Sequence, residues 1–178
     1  MGSEMCIRDS RYTPEVAQFL EAIGASLLVS TYEAGKLAVF RSKNQRMSML
    51  PRSFDQAMGI AVAPNRIAIA SKFQVWTLRN SPSVAKRLNE SEDHSSERPY
   101  DACYLPRTSN VTGNIDTHEM AWGAGEDELW IVNTSFSCLC TLDDPRFSFV
   151  PRWRPPFVSE ISRGDRCHLN GLAMENGR

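Results

Sequence analysis

No apolar run in this 178-residue chain approaches the roughly 18 residues that a membrane-spanning helix needs. The first thirty residues hold no basic start followed by an apolar block, so no secretory signal is read from them. An excess of one charge is missing too. Lys and Arg number 20 against 21 Asp and Glu, and a net charge of −1 gives no field to gather nucleic acid or an anionic membrane. The five cysteines (Cys6, Cys103, Cys138, Cys140 and Cys167) are odd in number and lack the spacing of a disulfide framework or a zinc knuckle. Free thiols in a reducing cytoplasm are the expectation. Also absent are the Gly-x-Ser-x-Gly elbow, the phosphate-binding loop and His-Glu-x-x-His; His118-Glu119 has no second histidine four residues on.

What is present reads as one domain with a sizeable core, since 42% hydrophobic and 23% charged residues are ordinary for a globular chain. Met1 to Ser10 has neither helical nor strand periodicity and resembles translated sequencing-adaptor read-through, so residues 1–10 are set apart as a disordered or artefactual leader. Thr13 to Gly24 is the clearest helix: Thr13 suits the cap, Pro14 the first turn and Gly24 the stop. Val16, Phe19, Leu20 and Ile23 give it one apolar face, expected to pack on the sheet that follows.

From Ala25 onward the pattern is β. Ser26–Thr31 and Lys36–Arg41 flank Tyr-Glu-Ala-Gly as a hairpin. Gly59–Ala63, Arg66–Ser71 and Gln74–Leu78 follow as a meander. Ser81–Leu88 suits a short helix, Asn89–Pro99 a mobile polar loop, Asp101–Leu105 a buried strand and Pro106–Asp116 a connection. Asp116 to Asp143 reads as three strands joined by tight turns, and Phe147–Trp153 as another interrupted by Pro151. Trp76, Trp122 and Trp130 are expected in the core.

A repeat underlies this order. Met58-Gly59-Ile60-Ala61-Val62, Glu119-Met120-Ala121-Trp122 and Asn170-Gly171-Leu172-Ala173-Met174 each set a small residue inside an apolar strand. Their alanines stand 60 and 52 residues apart. Propeller blades have four strands and repeat at about 40–50 residues, longer with inserted loops. The expected fold is therefore mainly β: a propeller-like repeat of antiparallel four-stranded blades over residues 11–178, with a short N-terminal helix. About three blades are countable where closure needs about four, and Asn176-Gly177 signals a hairpin, so truncation at the C-terminus is expected.

Several segments together resemble a bacterial family of conserved hypothetical proteins that carries a domain of unknown function. They are Ser26–Leu37, Phe54–Val62, Gln74–Trp76, Asp116–Gly123, Asn133–Asp143, Phe149–Phe157 and Cys167–Met174. The resemblance spans nearly everything from Arg11 onward and implies a propeller-like fold. Members of that family are longer, which agrees with a fragment. It implies no activity.

Candidate functional residues sit where a propeller converges its loops. Asp116, His118 and Glu119 lead into one first strand, and His168 and Asn170 occupy the matching place in the next repeat. Imidazole, carboxylate and carboxamide from successive blades can meet one ligand or cation there. Three roles are weighed: pinning the loops, lining a ligand pocket, and holding a divalent metal through His118, Glu119 and Asn170. Asn170-Gly171-Leu172-Ala173 resembles a segment of gluconolactonase-like propellers in which the asparagine binds a metal. The expected function is thus a ligand-binding or interaction scaffold, with a metal-dependent hydrolase as the alternative. Arg146, Arg152, Trp153 and Arg154 form a basic, aromatic cluster, and Arg152 and Arg154 are further ligand candidates. Against that stands pairing of the arginines with Asp143 and Asp144 and Trp153 filling a gap between blades. Cys138 and Cys140 alternate on a strand and read as small buried hydrophobes ahead of a metal pair.

Overall fold

The computed structural model describes residues 12–90, 99–125 and 128–177. Among these are two helices and eleven strands in three antiparallel sheets of three, four and four strands. The chain divides into two compact units, the first comprising Met1–Val29 with Leu37–Arg52 and the second Ser30–Lys36 with Ser53–Arg178.

In the first unit, α1 spans Pro14–Ala22. Thr13 takes the extended capping backbone, but its side chain makes no capping bond. Gly24 ends the helix at φ +60°, a conformation that costs glycine nothing. Of the expected apolar face only Leu20 is buried, beside Ala17, while Val16, Phe19 and Ile23 are exposed. Polar contacts tie the helix down instead. The Glu21 carboxylate accepts from the Asn44 and Gln45 amides at 3.0 and 2.7 Å, and the Tyr12 hydroxyl accepts from the Met47 amide at 3.3 Å.

The three-stranded sheet runs β1 (Leu27–Thr31), β2 (Lys36–Lys43), β3 (Arg46–Ser53), in that order. The hairpin around Tyr32–Gly35 is as expected, with Gly35 at φ +57°. β3 was not anticipated. Its turn, Asn44-Gln45, has both residues left-handed (φ 51° and 58°), the geometry of a two-residue hairpin, without the glycine that usually signals it.

The second unit holds two meanders, each with its strands in sequence order. The first is β4 (Ile60–Ala63), β5 (Arg66–Ala70), β6 (Gln74–Asn80) and β7 (Tyr104–Val111); α2 (Pro82–Glu90) lies between β6 and β7. The buried strand expected at Asp101–Leu105, with a loop after it, is corrected here. β7 continues to Val111 as an exposed edge strand, and Pro106 is tolerated because the register shifts there, Thr77 facing Thr108 and Leu78 facing Pro106. The loop expected over Asn89–Pro99 lies mostly outside the described residues. At its base the Asn89 carboxamide donates to the Tyr100 carbonyl (2.8 Å) and accepts from its amide (2.6 Å).

The second meander is β8 (Thr117–Trp122), β9 (Leu129–Asn133), β10 (Cys138–Thr141) and β11 (Val150–Trp153), with β8 and β11 at opposite edges. Ala61, Ala68, Ala70 and Val75 from the first meander pack with Met120, Leu129, Ile131, Cys138 and Cys140 from the second in one buried cluster. Each large aliphatic side chain fully buried there contributes about 1.5–3 kcal/mol. Cys138 and Cys140 are wholly buried on one face, as expected. A hydrogen bond with Cys138, together with burial, pushes the Cys140 thiol far up, so it is a neutral core side chain. Trp76, Trp122 and Trp130 are half-buried, Trp122 packing against the core, and Trp153 is exposed, filling no gap. The strand expected at Asn170–Met174 does not form among the described residues, although Asn176 and Gly177 take the left-handed conformations of a tight turn (φ 52° and 76°).

Candidate functional site

The segments leading into the repeated alanines share a backbone signature. Gln56, Asp116 and His168 each stand five residues before Ala61, Ala121 and Ala173, and each is left-handed, at φ 48°, 54° and 44°. Asp and His visit that region more readily than most residues, and here it turns the chain sharply into the strand. The amide of Lys72 donates to the Asp55 carbonyl at 2.8 Å, and that of Ser135 donates to the Ile115 carbonyl at 3.1 Å. Both bonds tie the residue before the left-handed position to the turn after the sheet's second strand.

A bulge follows in both meanders. Ala70 accepts from the Met58 amide and donates to the Gly59 carbonyl; between Thr117 and Met120 the register with β9 slips at His118-Glu119. An extra residue re-aims the side chains beside it. Serine or threonine hydroxyls clamp the lead-ins: Ser30 Oγ donates to the Met58 carbonyl and Thr134 Oγ1 to the Leu169 carbonyl, both at 2.6 Å. They belong to a recurring hydroxyl-x-aromatic turn (Ser30-Thr31-Tyr32, Ser71-Lys72-Phe73, Thr134-Ser135-Phe136) that follows β5 and β9 and overlaps the end of β1.

These devices bring together residues of two successive lead-ins. His118 and His168 meet edge to face, with ring centroids 4.9 Å apart and planes at 77°. The Asp165 carboxylate bonds His168 Nδ1 at 2.7 Å, and Asp116 Oδ2 stands 3.7 Å from His118 Nε2. His118 is largely shielded (18% exposed), whereas His168 is open (59%). The Asp165 hydrogen bond, then its charge, raises the His168 pKa above the ordinary imidazole value, and the same bond lowers that of Asp165. Beside Asp116, a cavity of about 10 Å³ lined by Tyr32, Gln56, Ser71, Lys72 and Asn114 has room for one water.

Other expected site residues are occupied or elsewhere. Glu119 Oε2 accepts the Leu172 amide at 3.0 Å, so this carboxylate pins the third lead-in. Asn170 is exposed. Among the described residues, no three of His, Cys, Asp and Glu are grouped to hold a metal ion. Arg152 bonds Thr141 Oγ1 at 2.9 Å and pairs with Asp143, while Arg146 pairs with Asp144 at 2.7 Å. Arg152 lies on β11 and Arg154 just beyond it, three strand spacings or roughly 14 Å across the sheet from β8. They do not join the histidines. Sequence reasoning missed Asp165, which reaches His168 because both residues are left-handed (φ 44° each). The recurrence of the hydroxyl-x-aromatic turn could have revealed the clamps.

Fold and geometry together define a mainly β protein of antiparallel meanders, with polar, left-handed lead-ins to their first strands. A family model described as a domain of unknown function, DUF4915, matches residues 14–178, and the chain belongs to that family. No curated protein and no solved structure matches it. No helix among the described residues is long and apolar enough to cross a membrane.

Proposed function

We propose that the two meanders are blades of a propeller-like repeat and that their polar lead-ins form a binding scaffold for a small hydrogen-bonding ligand. The repeat reading is supported by sequential four-stranded order, by the left-handed residue at Gln56, Asp116 and His168, and by the repeated bulge. The ligand reading rests on one observation, the His118–His168 contact flanked by Asp116 and Asp165.

A gap of 3.7 Å between His118 Nε2 and Asp116 is too long for a hydrogen bond, so a water or ligand atom can bridge them. His168 spends Nδ1 on Asp165, which leaves Nε2 to a ligand. The scaffold is proposed as cytoplasmic, with nucleic acid and membranes not among its partners. Metal-dependent hydrolysis is the weaker reading, because Glu119 is engaged by the Leu172 amide.

The test is an NMR titration of both histidine rings against polar metabolites, wild type beside His118→Ala and His168→Ala. Saturable shifts of both rings, lost in either variant, are expected; a full panel that moves neither ring refutes the pocket. Metal content and metal-induced thermal shift, measured with His118→Ala and Asn170→Ala, supply the other arm. Stoichiometric metal lost in both variants would establish the hydrolase reading instead.

A further inference from the structure

Three buried polar side chains of the second meander share one face. Cys138 and Cys140 alternate on β10, so both point the same way, and Asn133 on β9 stands directly opposite Cys138. All three are wholly buried, and both sulfurs belong to the apolar cluster that holds Ile115, Met120, Leu129 and Ile131. Asn133 Oδ1 accepts from the Phe136 amide at 3.1 Å, which fixes the carboxamide, while its Nδ2 is buried without a hydrogen-bond partner. A buried N–H is costly to leave unpaired. The acceptor it calls for is a charged sulfur: the Asn133 amide favours the thiolate of Cys140, against burial and the neighbouring thiol. The ladder is irregular at the same point. β10 and β11 shift register between Leu139 and Cys140, and Cys140 faces Pro151, which has no amide to give. β11 is a four-residue edge strand, so a local opening there can admit an ion to the sulfurs.

We propose that Cys138 and Cys140 bind one soft monovalent cation, Cu(I), between their sulfurs, with the Asn133 amide donating to the Cys140 sulfur. Thiolates select Cu(I), zinc and iron–sulfur clusters. Zinc and the clusters take four ligands, and among the described residues no third His, Cys, Asp or Glu is grouped with the pair. Cu(I) is satisfied by two sulfurs. On binding, both thiols release their protons to solvent, and the S–Cu–S group carries one negative charge, which the amide supports. A disulfide suits the pair less well. Residues two apart on a strand have Cα atoms about 6.6 Å apart, at the far end of the disulfide range of about 4.4–6.8 Å. This site stands apart from the lead-ins and does not depend on the ligand reading.

Anaerobic titration with Cu(I) against a competing chelator tests it, in the full chain carrying Cys6→Ser, Cys103→Ser and Cys167→Ser so that only the pair remains. One ion per chain is expected, with near-ultraviolet thiolate-to-metal absorption, two sulfur neighbours by X-ray absorption and a raised Tm. The Asn133 side-chain amide resonance should move on loading. Cys138→Ala and Cys140→Ala should each weaken binding by roughly a hundredfold or more, the upper end of what losing a mere supporting group costs. Stoichiometry and sulfur count in the parent decide the matter even where an alanine variant fails to fold. No Cu(I) held against the chelator overturns the proposal, as does binding indifferent to both alanines. So does loading that lowers Tm or leaves the Asn133 resonance unmoved. Loss of both free thiols in air without Cu(I) retention would mark a disulfide pair and overturn it as well.

Discussion

Replacing Thr134 by valine isolates the bond that clamps the third lead-in. Thr134 is wholly buried, and its Oγ1 donates to the Leu169 carbonyl at 2.6 Å. Valine keeps the shape and the packing methyls but removes the donor. A buried hydrogen bond contributes about 0.5–1.5 kcal/mol, and leaving its partner unsatisfied costs about 1–3 kcal/mol. Leu169 is only half-buried, so water recovers part of that loss. We expect Thr134→Val to cost about 1–2 kcal/mol, which lowers Tm by roughly 2–8 °C in a domain of this size. Thr134→Ser keeps the hydroxyl and loses one methyl, about 0.8 kcal/mol, so it should fall between wild type and valine. Ser30→Ala, at the equivalent clamp on Met58, should cost a similar amount. The double variant should lose the sum, because the two clamps share no partner. Urea denaturation with matched m-values measures all four. Valine indistinguishable from wild type, or serine as damaging as valine, would refute the clamp.

Three further outcomes are expected. His168 and Asp165 stabilise the fold fully between the ordinary carboxylate and imidazole pKa values, about 3.9 and 6.5. The benefit fades as pH rises through the raised folded pKa of His168 and as it falls through the lowered one of Asp165. Asp165→Asn should bring the His168 pKa back toward its ordinary value in an NMR titration, and an unmoved value would break the pairing. Ile131→Ala empties a fully buried site where β9 meets the core and should cost about 2–5 kcal/mol by denaturant melting; a loss under about 1 kcal/mol would mean the site collapses or is hydrated. Gln45→Gly relieves a left-handed non-glycine residue in the β2–β3 turn and should raise the first unit's stability by up to about 1 kcal/mol, read from amide exchange of β2 and β3. Unchanged or faster exchange there would count against that turn geometry.

Much of this architecture was legible because hydrophobic alternation and turn residues agree. Tyr32–Gly35, Pro64-Asn65 and the run from Asp116 to Asp143 were each bounded by the residues their turns need. β3 stayed hidden because Asn44-Gln45 bends without glycine, and β7 because Pro106, normally a sign against a strand, sits at a register shift on an edge. In the site, Asp116, His118 and His168 were readable from their place before a repeated alanine. Glu119 was readable as a polar group at a lead-in, but side-chain type alone does not name the distant Leu172 amide that it accepts. Arg152 was readable only in its bland role, beside Asp143. Asp165 depended on backbone strain that composition does not encode.

Two residues before each shared alanine stand Gly59, Glu119 and Gly171 in turn. A methyl group added at Gly59 would come within 3.3 Å of the Met120 side chain and 3.4 Å of the Glu119 backbone; one added at Gly171 would meet Glu119 Oε2 at 3.0 Å. At both glycines the bare backbone leaves room for a neighbour: the Met120 side chain and Glu119 backbone at Gly59, and the Glu119 carboxylate at Gly171. A side chain at either glycine would therefore press on Met120 or Glu119 and displace the lead-in that it belongs to.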